Sequence, residues 1–518
     1  RSTRRPGLTK GYLNSCWPTF FPILFGTFFQ QLYNTADAMI VGQFVGKQAL
    51  AAVGGATGTL IIFIVNLFVG LSSGTTVIVA QLYGAGEHKR VGDAVHTSLA
   101  LAITAGFGMT VVSLLLARPA LTAMGTPEDV MPYALTYLRT VLLGVVPSFL
   151  YNMGSGVLRA VGDTKRPLYF LIAACLTNIV LDLILVAGLG MGVFGAALAT
   201  ILSQALSAVL TLLCLAGSGA CYRFEPAKLR FTKGMLGGVL RVGIPAGLQS
   251  NMYSISNIII QTCINSFGTD TMAAWTAHGK IDGFFWMIMG AFGISITAFA
   301  GQNFGARKYD RIRKSVRDCL ILSAITALVI GGLYYGFAGP LQRIFTSDEA
   351  VLAIGRQIVD ITVPFYFTYI CIEIMAGAIR GCGEAMPPML MVAGGVCVLR
   401  IVWIAVMLPF HRQLSTVLVS YPLSWAVTSV IFVVYYLRGN WLKRCIKKIL
   451  WLTGRRGKAI KERRRNAGSA AFFDIRTART AAAHPPAAAC PRKRAGSAGR
   501  ELPVQAARAD RRQSRARR

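Results

Sequence analysis

Charge is scarce in this chain. Asp, Glu, Lys and Arg make up 14% of the 518 residues and only 21 are acidic, against 54% hydrophobic residues and a mean hydropathy of +0.54. A soluble protein of this length needs far more charge to cover its surface, so the composition excludes that class and describes a polytopic membrane protein. Other things are missing too. Eleven cysteines are scattered without a C-x-x-C pair, which excludes a zinc ribbon or a dithiol redox centre. Five histidines are too dispersed to suggest a metal centre. The glycine-rich stretches GGATGTL (54–60) and GLSSGTT (70–76) lack the G-x4-G-K-[ST] pattern and sit inside apolar runs, so they suit close helix packing, and ATP is not the direct energy source of this polypeptide. No cofactor and no enzymatic chemistry are expected.

Long apolar runs are abundant. A spanning helix needs about 20 mostly apolar residues. Twelve runs qualify, at roughly 14–44, 52–82, 93–117, 131–157, 167–189, 193–216, 238–267, 274–303, 315–338, 351–379, 388–409 and 415–437. They are continuous rather than ten-residue alternations, which excludes a β-barrel. The expected fold class is an all-α polytopic membrane protein of twelve helices.

The net charge of +32 suggests nucleic acid until its location is considered. Residues 438–518 carry 24 of the 53 Lys and Arg. In the membrane part, the alternate loops around Lys89, Arg159–Arg166, Arg223–Arg241, Arg307–Arg317 and Arg380 are basic, whereas the opposite loops hold Lys47, Arg118, Arg343 and Arg412 alone. Positive-inside bias then places both termini and the five basic loops in the cytoplasm, the orientation expected of a multi-pass protein of a bacterial inner membrane. Nucleic acid is not an expected partner; membrane lipid is. The segment from about 454 onward lacks apolar periodicity, and 438–518 is read as a basic, disordered cytoplasmic tail.

The chain also repeats itself at a spacing of 221 residues. QLYGAGEHKRVGDAV (81–95) matches QNFGARKYDRIRKSV (302–316), aligning Gln81 with Gln302 and Gly84 with Gly305. LRAVGDTKRP (158–167) matches IRGCGEAMPP (379–388), aligning Arg159, Gly162 and Pro167 with Arg380, Gly383 and Pro388. Tyr33 and Asp37 correspond to Tyr253 and Asn257. The organisation is therefore an N-lobe over 12–216, a cytoplasmic linker over 217–237 and a C-lobe over 238–437. Six helices per half make the repeat parallel, an arrangement typical of alternating-access transporters.

Two acids stand where acids are expensive. Asp37 lies in the first apolar run, and Asn178-x3-Asp182 in the fifth. A carboxylate at helix centre costs roughly 2.5–3.5 kcal/mol on insertion scales, so such residues usually face a polar cavity and act there. Asn178 and Asp182 are i and i+4 and share one helix face. Carboxylate, amide and hydroxyl oxygens suit a hard monovalent cation such as Na⁺. Two neighbouring carboxylates can equally share a proton, since like charges oppose double ionisation. The residues alone leave both open, along with a structural role as interhelical glue. Pro22 removes a helix hydrogen bond and can kink the first helix. Glu373 aligns with Asn152 by the 221-residue offset and is a candidate cavity acid, with Arg400 as its expected partner. Asp282, Asp360, Lys280 and Arg356 lie near apparent helix ends, where snorkelling accounts for them.

The repeated motifs resemble those of the multidrug and toxic compound extrusion (MATE) family. QQLYNTADAMIVGQFVGKQALAAVG (30–54) is similar to its first-helix signature, and VLRAVGDTKRPLYF and AIRGCGEAMPPML to its paired loop motifs. The resemblance covers about 12–440. It implies two six-helix lobes around a central cavity, and export of amphipathic, cationic compounds in exchange for Na⁺ or H⁺ by a protein acting as a monomer. One branch of that family builds its N-lobe cation site from an Asp in helix 1, an Asn-x3-Asp pair in helix 5 and a Thr in helix 6. These are matched by Asp37, Asn178, Asp182 and Thr200, with Asn152 nearby, and would hold Na⁺ if that is the ion. Pro22 matches the proline at which helix 1 bends. Gln30, Tyr33, Met153 and Glu373 are candidates for the substrate cavity. Another branch uses a Glu in helix 7, and here 245–267 contains no acid. The alternative within the superfamily is a lipid-linked saccharide flippase, which would favour a basic cavity; only Arg139 and Arg400 lie deep enough in helices to supply one.

Overall fold

In a lipid environment every backbone amide needs a partner inside its own segment, so apolar runs of this length are forced into helix. The computed structural model describes residues 12–452, which are almost wholly helical and contain no strand. The first half comprises α1 (Tyr12–Phe44), a short α2 (Lys47–Gly54), α3 (Ala56–Ala85), α4 (His88–Ala123), α5 (Met131–Leu143), α6 (Val145–Val161), α7 (Lys165–Asp182) with a π-helical extension Leu183–Gly188, and α8 (Gly192–Ala216). The second comprises α9 (Lys233–Asn265), α10 (Thr269–Gly305), α11 (Tyr309–Gly336), a short α12 (Ala338–Arg343), α13 (Glu349–Thr362), α14 (Tyr366–Gly381), α15 (Met386–Val392), a π-helical segment Ala393–Val398, α16 (Leu399–Met407) and α17 (Leu414–Arg438). A last helix, α18, spans Trp441–Leu452.

Among the described residues nine helices are long and apolar enough to cross a membrane, ten when α5 and α6, bent by 46°, form one span. α1 and α9, 33 residues each, reach about 50 Å, ample for a bilayer, but their apolar character is diluted by Gln30, Gln31, Asn34 and Asp37 and by Gln249, Asn251, Asn257 and Gln261. With these two, the described residues fit twelve helical passes. The repeat is visible in backbone geometry. Gly162 and Gly383 both take φ 93°, a left-handed conformation open to glycine, and their amides close helix ends by donating to the carbonyls of Arg159 and Arg380 at 3.0 and 2.8 Å.

Each half has its own apolar core. Phe68 and Phe149 stack at 4.1 Å in the first, Phe285 and Tyr366 at 4.2 Å in the second. α1 serves both. Its early residues Phe20 and Ile23 belong to the second core, with Phe20 stacked on Phe292 at 4.3 Å, whereas Val41 packs with Val186 and Ala196 of the first. Pro22 therefore lies in the stretch of α1 that is docked on the opposite half, and the helix runs unbroken through it.

The halves meet through small residues. On α3, Gly70 and Gly74 lie directly against the backbone of α9 at Gly247, Gly243 and Val239, too close for any β-carbon. At the end of α3 and α10, next to the basic loops, contact becomes reciprocal. Gly84 rests on the Gln302 backbone, and Gly305 on that of Gln81. Gln81 Nε2 donates to the Gly381 carbonyl and Gln302 Nε2 to that of Ala160, each at 2.8 Å. All four pairs interchange under the 221-residue repeat, so this clasp is a two-fold joint between the ends of α3 and α10.

Two sequence boundaries are corrected. The linker is shorter than 217–237, since α9 begins at Lys233, and it is pinned to α4. The Thr232 amide donates to Thr97 Oγ1 at 3.0 Å, the Glu225 amide to His96 Nε2 at 3.1 Å, and Arg230 pairs with Asp93 at 3.3 Å. The basic tail is not disordered from its start. In α18, Trp441 and Cys445, one turn apart, are buried in the second core, with Lys443 and Arg444 on the outer side. Four-residue apolar spacing in WLKRCIKKILWL carried that signal. The remainder, 453–518, lies outside the described residues.

The clasp makes a specific prediction. Gly84→Val or Gly305→Val drives side-chain atoms into opposing backbone, and overpacking of this kind costs about 1–3 kcal/mol. The apparent thermal midpoint of the purified protein in detergent should fall clearly for both. Gly332→Val, where a β-carbon meets open space, should leave it nearly unchanged.

Candidate functional site

The first half assembles a polar cluster from three helices. α1 contributes Asp37, one turn before the buried Val41. α7 contributes Asn178 and Asp182 on one face, in the last turn before the backbone switches to its π-helical extension. α8 contributes Thr200. π-Helical turns are costly and frequent at functional sites. Asp37 and Thr200 are 6% exposed, and Asn178 and Asp182 are fully buried, so bulk water does not serve them.

Protein donors barely serve them either. Tyr137 of α5 donates its hydroxyl to Asp37 Oδ2 at 3.2 Å. Asp37 Oδ1, both carboxylate oxygens of Asp182, both amide atoms of Asn178, Thr200 Oγ1 and the Tyr33 hydroxyl have no hydrogen-bond partner. Neither acid joins an ion pair among the described residues. Buried polar atoms in native proteins are overwhelmingly paired, and leaving one unpaired costs about 1–3 kcal/mol, more for a charged group. Seven orphans in one place, mostly oxygens, make a site that wants an electropositive guest. Tyr33, on the same face of α1 as Asp37, lies within electrostatic reach of both acids.

Other predicted residues fall elsewhere. Asn152 on α6 donates its side-chain amide to the Ser148 carbonyl at 2.8 Å, and no hydrogen bond joins it to the cluster. Met153 is wholly buried in the first core, its sulfur accepting from Thr75 at 3.0 Å, so it lines no cavity. Gln30 is exposed and Pro22 is partly buried at the junction of α1 with the second half.

Glu373 does line a cavity. A half-open cavity of about 800 Å³ lies mainly in the second half between α9, α10, α14, α16 and α17, with Asn66 of α3 at its edge; it is walled by Tyr253, Trp286, Tyr369, Tyr421 and Trp425 and carries Asp282, Glu373, Arg380 and Arg400. Glu373 Oε2 accepts from Tyr369 at 3.2 Å and forms no ion pair with Arg400, contrary to expectation. Asp282 is not a snorkelling end residue. α10 begins at Thr269, several residues earlier than hydropathy indicates, so Asp282 sits well inside the helix, accepting from Trp286 Nε1 at 2.5 Å and from the Tyr366 hydroxyl. Of the two deep arginines, Arg139 is exposed and Arg400 is buried.

Sequence reasoning missed Tyr137 because a tyrosine in an apolar run carries no signal until another helix brings an acid to it. It missed Asp282 through a misplaced helix start. Among the described residues no three His, Cys, Asp or Glu side chains meet as metal ligands. A multivalent centre is therefore not what the first-half cluster resembles. Two carboxylates with neutral amide and hydroxyl oxygens fit a singly charged cation or a shared proton.

A model of the MatE family matches residues 22–184 and 245–406, one match on each half of the repeat. The probable multidrug resistance protein YoeA of Bacillus subtilis is 26% identical over 438 residues, covering 83% of this chain and 94% of its own. The probable multidrug resistance protein NorM of Thermotoga maritima is 27% identical over 433 residues, 80% of this chain and 90% of its own. A solved outward-facing multidrug resistance MATE transporter of the MOP superfamily overlays with a TM-score of 0.80 across 86% of this chain and 100% of its own, at 22% identity, a likeness of fold. The chain belongs to the MatE family and is a membrane transporter, not an enzyme.

Proposed function

We propose that this protein is a cation-coupled antiporter that exports amphipathic, mainly cationic compounds across a bacterial inner membrane by alternating access. The observation that carries this reading is the cluster of unsatisfied buried oxygens on Asp37, Asn178, Asp182 and Thr200. A negative site without an internal counter-charge binds a coupling ion, Na⁺ or H⁺, and exchange follows when ion and cationic substrate favour opposite states of the protein. The names of the relatives, multidrug resistance proteins, support drugs and toxic metabolites as cargo. They do not favour the lipid-linked saccharide flippase.

Alternating access requires two halves that move against each other around the site. The two-fold clasp of Gln81, Gly84, Gln302 and Gly305, together with the glycine contacts between α3 and α9, supports a state sealed on the side of the basic loops. α1 links the coupling acid to that motion, because Asp37 sits with the first half while Phe20 and Ile23 are held by the second. Pro22, lacking a backbone donor, is where the connecting helix would bend when Asp37 is neutralised. The lobes would be 12–216 and 238–437, with the basic loops and termini cytoplasmic, and one chain would suffice for the cycle.

Export of ethidium from proteoliposomes under an imposed Na⁺ or H⁺ gradient tests the proposal. Asp37→Asn and Asp182→Asn should each cut gradient-driven export by about tenfold or more, the scale of a coupling free energy above about 1.4 kcal/mol. Full export by both variants would make the acids structural. Pro22→Ala should bind dye normally yet slow gradient-driven export severalfold; full export by this variant would remove bending at Pro22 from the cycle.

A further inference from the structure

The second-half cavity contains four charged side chains and, among the described residues, not one ion pair between them. Both acids accept hydrogen bonds from neutral donors, and Arg380 lies within electrostatic reach of Glu373 without forming an ion pair. Asp282 accepts from Trp286 and Tyr366, and Glu373 accepts from Tyr369 while its side chain packs on Gly293. Arg400 is the more unusual residue. It is 3% exposed, its guanidinium lies 4.0 Å over the Tyr421 ring, and Nε and Nη2 both donate to one serine oxygen, Ser424 Oγ, at 3.2 and 3.0 Å. A guanidinium has five N–H donors, so most of them make no hydrogen bond to a protein group, and its charge is met by the face of Tyr421 rather than by a carboxylate. Burying such a charge without a counter-ion is expensive in protein and in membrane alike. The π-helical segment Ala393–Val398 ends two residues before it, a local irregularity that resets which face Arg400 occupies.

The two poles lie at the ends of an aromatic strip. Glu373 touches Tyr369, Tyr369 is 6.2 Å from Trp425, Trp425 is 5.7 Å from Tyr421, and Tyr421 lies under Arg400. Trp286 closes the wall, 4.6 Å from Tyr369 and 5.6 Å from Trp425. An aromatic lining with a carboxylate at one end and an unpaired guanidinium at the other is complementary to a flat aromatic ligand bearing both charges.

We propose that this cavity is a ligand chamber for aromatic zwitterions, with Arg400 as the specificity residue that receives a carboxylate or phosphate group and Glu373 facing the cationic end. The inference deepens the transport reading by naming a substrate class, but it concerns binding and stands or falls separately from coupling.

Rhodamine B, a carboxylate-bearing xanthylium cation, and its ethyl ester, which keeps the cation and loses the acid, are matched probes. Their affinities for the purified full-length protein in detergent are read by fluorescence anisotropy. Wild type should bind the acid about tenfold or more tighter than the ester, as expected when a charge-assisted hydrogen bond is gained. Arg400→Gln should remove that preference by weakening the acid far more than the ester, and Arg400→Lys should restore part of it. Glu373→Gln should weaken both dyes and keep their ratio, which provides a second test if Arg400→Gln does not fold. Equal binding of acid and ester by wild type, or parallel loss of both in Arg400→Gln, would overturn the proposal and leave Arg400 as a staple between α16 and α17. A wild type that binds neither dye would also overturn it. A protein that binds with the predicted preference but moves no dye under any gradient would refute antiport and retain the chamber.

Discussion

The structure depends on an electrostatic debt held inside an apolar protein. Asp37 and Asp182 are buried among twelve helical passes with one phenolic hydroxyl between them as donor, and Asn178 and Thr200 add further unsatisfied oxygens. No stable fold maintains such a cluster for packing alone, because replacing it with aliphatic side chains would remove the desolvation cost. The proposed coupling ion would supply the missing positive charge. The cluster is also assembled from three separate helices, and its stability is therefore tied to how α1, α7 and α8 sit together.

That dependence gives the connection to the second half its meaning. α1 is a strap with its polar end in one half and its aromatic end in the other, and at the α3–α9 contact and the clasp the halves meet largely through glycine backbones, two symmetry-related glutamines and the hydrogen bonds Asn66–Ser254 and Asn251–Phe63. Contacts of this sort are tight but contain little side-chain interdigitation, so they can separate and re-form without repacking a core. A site whose charge changes on ion binding, joined by one helix to a closable joint, has the physical parts of a coupled switch. The two halves have also diverged chemically. At the level of backbone caps and the clasp the repeat is intact, as Gly162 and Gly383 show. In the interior the first half holds Asp37 and Asp182 with one inward arginine, Arg159, whereas the second holds two acids and two arginines around an aromatic wall.

Much of this was legible in the sequence. Run length and composition specified helices and membrane, since backbone satisfaction in lipid leaves little choice. The 221-residue repeat exposed the paired loops, and intramembrane acids marked Asp37 and Asp182 because their cost is intrinsic to the residue type. What could not be read depends on which helix faces which. Tyr137 is meaningful only beside Asp37. Asn152 shares a motif with the acids, yet it turns to its own helix, satisfying its amide at Ser148. Glu373 and Arg400 invite pairing by opposite charge, yet the fold separates them along an aromatic strip. Asp282 was misjudged by a few residues of helix boundary, because the polar start of α10 hides from hydropathy.

The central claim is that occupation of the first-half acids by the coupling ion opposes binding of a cationic ligand. The most direct measurement is the affinity of purified protein for ethidium as Na⁺ concentration and pH are varied, in wild type and in Asp37→Asn combined with Asp182→Asn. The account predicts that rising Na⁺ or rising acidity weakens dye binding to wild type and that the double variant loses this sensitivity. Dye affinity in wild type that is indifferent to both ions would contradict it.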